Sequence, residues 1–180
     1  LREGYGGQND KAYFSFDGTN DSMISDSNSP ITTDFTIFEV SKIDSASNNV
    51  FGWESGSAYI AIGTDANGYF STKVNDGATE LITNTAIDNT LSNHIGILKK
   101  DGKDINSEYY DSSNTITKTD TDAAFDNTFL FNTAKFNIGY FGVTEYLGGQ
   151  VQEVIVYNRA LSSTEIANVK DYLNLKYKIY

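Results

Sequence analysis

The sequence predicts an all-β protein, two antiparallel sheets packed as a sandwich, with one short helix at the C-terminal end. Three observations carry this. Apolar segments recur roughly every eight to twelve residues and are separated by turns of Gly, Asn, Asp and Ser. The 180 residues include twelve Tyr and eleven Phe but a single Met and a single Pro, the make-up of aromatic strands joined by turns that do without Pro. The stretch 148–180, GGQVQEVIVYNRALSSTEIANVKDYLNLKYKIY, begins as a strand and finishes as a helix.

In chain order, residues 1–11 (LREGYGGQNDK) are polar and glycine-rich and read as a linker or lead-in. That leaves 12–180 as one domain, long enough to bury a substantial core. Residues 12–17 alternate as a strand that the turn from Gly18 to Asp21 ends; a brief pairing at 22–25 precedes a polar loop. FTIFEVSKI at 35–43 is a strand, and a Ser/Asn/Asp turn leads from it to 50–54. Strands at 58–63, 69–74 and 80–83 are divided by Asp65-Ala66-Asn67-Gly68 and Asn75-Asp76-Gly77, the second carrying an Asp-Gly hairpin signal. A strand at 91–99 passes through Asp101-Gly102 to 103–110, with weaker segments at 115–119, 128–132 and 136–141. The Thr/Asp/Asn-rich span 111–126 reads mainly as solvated loop.

Residues 150–157 form the last strand, with Val151, Val154 and Val156 among its β-branched and aromatic members. Ser162 stands three residues before Glu165, the spacing at which each side chain satisfies a free backbone donor of a helix start. Ile166, Val169, Leu173 and Tyr177 then recur at helical spacing, an apolar stripe to lay on a core.

The formal charge of −11 argues against nucleic acid and against anionic membranes, both of which need a basic footprint. It serves either solubility or cation binding. With no cysteine there are neither disulfides nor thiolate metal sites. No run approaches the roughly 18 apolar residues of a membrane span, so membrane insertion is not expected. The chain starts at Leu1 rather than Met, as an excised piece of a longer protein would.

A strand ending in YNRALS that hands over to a short capped helix closing on YL..KY resembles the C-terminal end of laminin-G-like domains, in the concanavalin A-like lectin/glucanase superfamily. FSFDGTND at 14–21, FTIFEVSK at 35–42 and FNIGY at 136–140 are similar to earlier strands of that family, so the likeness runs in family order from about residue 12 to 177. It implies a jelly-roll sandwich and a non-catalytic recognition module of a larger surface protein, a bacterial adhesin or a phage virion component, that binds glycan or another surface ligand. A structural domain working through protein contacts in an assembly is the alternative. Many relatives hold calcium at the sandwich rim; here the resemblance offers Asp17, Asn20 and Asp21, while Gln152 stands where relatives often have Asp. The same three residues also suit a tight turn without an ion, and Asn20-Asp21-Ser22 fits an N-glycosylation sequon.

Period-two reading of the central strands turns Ile60, Ile62, Phe70, Val74, Phe38, Val40, Ile95 and Ile97 inward. Opposite them fall Tyr59, Tyr69, Lys73, His94 and Glu39, a set that could stack on a sugar ring and bind its hydroxyls. The same residues could equally form the ordinary wet face of an antiparallel sheet. Trp53, the single tryptophan, is either a further stacking residue or a core residue. Catalysis is not expected. His94 is the sole histidine and has no nucleophile at interpretable spacing. The Glu-x-Asp-x-x-Glu strand used by hydrolases of this fold is missing, and Glu39 to Asp44 has the wrong spacing for it.

Overall fold

The computed structural model describes the chain apart from residues 1, 5, 6, 47, 89–91, 143 and 144, with the backbone alone for 2, 87 and 88. The described residues form β1 (Arg2–Gly4), β2 (Tyr13–Asp17), β3 (Met23–Ile24), β4 (Phe35–Ile43), β5 (Asn49–Ser55), β6 (Ala58–Thr64), β7 (Tyr69–Asp76) and β8 (Glu80–Asp88). There follow β9 (Asn93–Asp101), β10 (Asp104–Tyr110), β11 (Thr115–Thr121), β12 (Phe136–Ile138), β13 (Tyr140–Phe141), β14 (Glu145–Tyr146), β15 (Gly148–Tyr157) and helix α1 (Ser163–Tyr177).

One sheet runs β1-β2-β15-β4-β9-β10-β11, the other β3-β12-β5-β6-β7-β8, and β13 pairs with β14 as a separate ribbon. Every pairing is antiparallel. The expected sandwich is therefore present.

Between the sheets, Phe35 and Ile37 of β4, Leu98 of β9 and Tyr109 of β10 meet Phe51, Trp53, Ile60, Ile62, Phe70 and Leu81. The other face of the larger sheet is also covered. There Phe38, Val40, Ile95, Ile97 and Tyr110 pack under Leu161, Ile166, Leu173 and Tyr177 of the helix and its lead-in. The architecture is thus three layers, helix on sheet on sheet. A strand apolar on both faces carries no sign of which face meets which layer. This corrects the inward reading of Phe38, Val40, Ile95 and Ile97, which face the helix while Ile37, Glu39, His94 and Leu98 face the opposite sheet.

The helix begins as its sequence requires. Ser162 accepts from the Glu165 backbone N–H at 3.3 Å, and the Glu165 carboxylate accepts from the Ser162 backbone N–H at 2.9 Å. Arg159 grips the same carboxylate through both guanidinium nitrogens, at 2.6 and 3.0 Å.

Three segments differ from expectation. The described residues of the 1–11 lead-in are joined to the domain: β1 pairs with β2, while Gln8 and Asn9 donate to the Lys178 and Lys176 carbonyls at the helix end. The span 111–126, read mainly as loop, is strand over Thr115–Thr121 (β11), which contains the weaker segment expected at 115–119 and lies largely in solvent. Residues 128–132 are no strand; Phe129 and Phe131 instead plug one end of the core beside Trp53.

Candidate functional site

The outer face of the smaller sheet carries a cleft of about 270 Å³. Its floor is Tyr59 and Ala61 of β6, neighboured by Lys73 of β7, which lies directly opposite Ala61. The turn after β6 supplies Thr64, Asp65 and Ala66 to one side. The β13–β14 ribbon supplies Phe141 and Glu145 to the other.

The ribbon lies directly on β5 because Gly52 lacks a side chain. A Cβ there would stand 2.9 Å from both the Phe141 ring and the Tyr140 carbonyl oxygen. Tyr59 and Phe141 then meet edge to face, centroids 5.4 Å apart and planes at 65°. Asn49 reaches the same side through a bulge between β5 and β6, where the register slips between Asn49 and Phe51. The extra residue reverses the alternation, so Phe51 points into the core while Asn49 points to the cleft and donates to Glu145 Oε2 at 2.6 Å.

Two carboxylates and one ammonium line the cleft. Asp65 Oδ1 accepts from the backbone N–H groups of Asn67 (2.8 Å) and Tyr69 (3.0 Å). Its Oδ2 accepts from the side-chain amides of Asn67 and Asn84. Partial burial pushes this carboxyl up, but the four hydrogen bonds outweigh burial and hold it below the usual carboxylate range. Lys73 is half-buried and has no hydrogen bond or ion pair among the described residues.

No protein-family model and no curated protein sequence matches the chain. Solved structures do resemble it. The carbohydrate-binding module CBM40 of the Ruminococcus gnavus IT-sialidase, bound to α2,3-sialyllactose, superposes with a TM-score of 0.62 at 17% identity, covering 77% of this chain and 83% of that one. The LG1-3 region of the laminin α2 chain superposes at 0.65 with 12% identity, over 83% of this chain and 32% of that one. Tailspike protein 2 of an Escherichia coli O157:H7 bacteriophage does so at 0.63 with 15% identity, over 91% of this chain and 24% of that one. The fold is the laminin-G-like, concanavalin A-like sandwich.

Within this laminin-G-like sandwich the residues expected at a sugar face separate. Tyr59 and Lys73 come together in the cleft. Tyr69 opens β7, the strand that carries Lys73, and is half-buried, with its backbone committed to Asp65 and its side chain outside the cleft lining.

Glu39, Trp53 and His94 need correction, since all three are fully buried between the layers. Trp53 belongs to the aromatic core and donates through Nε1 to the Ala134 carbonyl at 3.0 Å. Glu39 and His94 sit on the larger sheet, not beside Tyr59 and Lys73, and pair with each other at 2.9 Å. Gly96, the cross-strand partner of Glu39, leaves the space the carboxylate fills; a Cβ there would collide with that carboxylate and with the Phe70 ring.

The candidate calcium residues form a self-contained turn. Asp17 Oδ1 accepts from the backbone N–H groups of Thr19 at 2.8 Å and Asn20 at 3.4 Å, and Asp21 Oδ2 accepts from the Asp17 N–H at 3.3 Å. Among the described residues no group of three or more His, Cys, Asp or Glu converges as a metal cage.

Asn49, Asp65, Phe141 and Glu145 entered the site unannounced. The Asp65 turn was readable as a turn, and its Asp-x-Asn-Gly form was the one available signal. The ribbon was not, because its two strands are two residues each.

Proposed function

We propose that this chain is a non-catalytic glycan-binding module of a larger cell-surface or virion protein, and that a saccharide sits in the cleft on the smaller sheet. One observation carries the reading. The Tyr59–Phe141 corner stands over the shallow Ala61 floor and is rimmed by Asn49, Asp65, Lys73 and Glu145. A pyranose ring has apolar faces edged by hydroxyls, and an aromatic corner with donors and acceptors around it is its complement. The similarity to a module bound to sialyllactose, to a laminin region and to a phage tailspike supports both the ligand class and the surface setting.

A non-catalytic role is supported by how the cleft acids are held. Asp65 is ionised and saturated with four hydrogen bonds, which suits a positioning acceptor and not a general acid. Glu145 is engaged by Asn49. Calcium at Asp17, Asn20 and Asp21 stays a separate proposal, resting on two carboxylates and an amide in one turn; the turn's own hydrogen bonds account for those residues equally.

The assembly reading has one observation in its favour. Leu175 is 78% exposed, and Tyr172 on the same helix and the nearby Tyr180 are about half exposed. A glycan array followed by titration decides. Tyr59→Ala is expected to weaken the best array ligand by about 1–3 kcal/mol with the circular dichroism spectrum unchanged. No ligand on the array, together with self-association that Leu175→Asp abolishes, would transfer the case to assembly.

A further inference from the structure

The charges around the cleft say which saccharides it takes. Directly opposed residues share a face in an antiparallel sheet, so the pairs Ala61–Lys73, Tyr59–Glu54, Tyr59–Asn75 and Asn75–Glu80 put Glu54 and Glu80 on the same outer surface as Lys73. Asp65 and Glu145 line the cleft itself. Four carboxylates thus share this face with one ammonium, on a chain whose formal charge is −11. A sphere of the cleft's 270 Å³ is about 8 Å across, no more than the ~8 Å Debye length at physiological salt, so a bound ligand feels both cleft carboxylates with little screening.

We infer that the cleft takes a hydroxyl-bearing pyranose without an acid group and discriminates against sugars that carry one. This rests on the glycan reading above and names the ligand class for that site. A uronic or sialic acid would bring a carboxylate to a space already lined by Asp65 and Glu145. One ammonium does not offset both, and the surrounding face adds only further negative charge. An amino sugar is drawn by the cleft carboxylates, and loses part of that attraction where its ammonium shares the small space with Lys73. An uncharged ring meets neither penalty. Its hydroxyls donate to Glu145 and accept from Lys73 and Asn49, while Tyr59 and Phe141 take its apolar face. The volume lies just under the usual range for pockets that hold drug-sized molecules, room for one ring and not a chain of them.

The test uses matched probes on the intact chain. Methyl hexopyranosides of gluco, galacto and manno configuration are titrated beside their uronic acid and 2-amino-2-deoxy counterparts, with binding read by backbone amide chemical shifts. In the series that binds, the neutral sugar is expected to bind about fivefold tighter than its uronate at 0.05 M NaCl, the size of one like-charge contact at about 4 Å in the dielectric of bulk water. That ratio is expected to shrink at 0.5 M NaCl, and in Glu145→Gln, which keeps an acceptor but loses the charge. A uronate that binds as tightly as its neutral or its amino partner overturns the inference and leaves glycan binding standing. Shifts from none of the nine probes at tens of millimolar would remove the inference and the glycan reading together.

Discussion

Removing His94 would test how the interior of the sandwich tolerates its charges. Nε2 of His94 lies 2.9 Å from Glu39 Oε1, both side chains are fully buried, and Oε2 of Glu39 has no hydrogen-bond donor among the described residues. At an effective dielectric of ~20 the attraction at that distance is about 6 kcal/mol. Desolvation costs several kcal/mol for each ion, so the intact pair contributes little net stability. The asymmetry appears when one partner goes. His94→Leu leaves a buried carboxylate without a cation and is expected to cost about 3–5 kcal/mol, which in a chain of this size lowers Tm by about 10 °C. Glu39→Met combined with His94→Leu fills the space beside Gly96 with apolar atoms and is expected to recover most of that loss. Urea unfolding of the parent, both single variants and the double variant closes the cycle.

The pH dependence gives the same pair a second reading. Burial alone would push the His94 imidazolium down; the Glu39 charge and hydrogen bond, the Ser92 carbonyl and Asp111 outweigh it and hold the group above its ordinary value. Around it stand Glu39 and Ser41 of β4, Tyr109 of β10, and Asp111 just beyond β10. A value raised on folding stabilises fully below the unfolded value of about 6.5 and is lost as pH rises through the folded value. Stability of the parent is therefore expected to fall on the alkaline side of about pH 6.5, more steeply than in the double variant. A His94→Leu variant within ~1 kcal/mol of the parent, or a double variant no better than that single one, would refute the reasoning.

Leu173→Ala, at a fully buried helix position, is expected to cost about 2–4 kcal/mol, against about 1 kcal/mol for Ser162→Ala at the cap; equal losses in chemical denaturation would contradict the packing of the helix. Gly96→Ala should lose about 1–3 kcal/mol because its Cβ meets Glu39 and Phe70, and it should cost less when Glu39 is shortened to Ala. Calcium separates the two accounts of the 17–21 turn. A bound ion raises Tm and Asp21→Ala abolishes the rise, whereas the hydrogen bonds of the turn favour no difference between calcium and chelator.

What could be read from the sequence follows the range of the interaction. Ser162 and Glu165 cap the helix across three residues, so the sequence locates that helix start to the residue. Strands with an Asp-Gly or Asx turn between them, β6 to β7 and β7 to β8, were equally plain. The facing of β4 and β9 was legible only up to a choice of side. Both faces of FTIFEVSKI are covered, one by the helix and one by the other sheet, and alternation within the strand cannot choose between two apolar neighbours. That choice moved Glu39 and His94 from a ligand face to the interior. The site was half legible for a related reason. Tyr59 and Lys73 lie on adjoining strands, but Asn49 owes its direction to a bulge, and Phe141 and Glu145 arrive on a ribbon from nearly a hundred residues away.

The position of the cleft follows from the same layering. Helix α1 covers the outer surface of β4 and β9, where an apolar stripe from Phe38 to Ile97 receives it. On the outer surface of the smaller sheet Tyr59, Lys73, Asn75 and Glu80 alternate with core residues, and among the described residues no helix packs on it. A bare, flat sheet face would offer a ligand contact on one side alone. The β13–β14 ribbon supplies a wall, and it can do so because Gly52 lets Phe141 settle against the β5 backbone. Asn49 then ties Glu145 of the ribbon to the sheet across the bulge. The concavity is therefore built by one missing side chain and one extra residue, on the face that the helix leaves free.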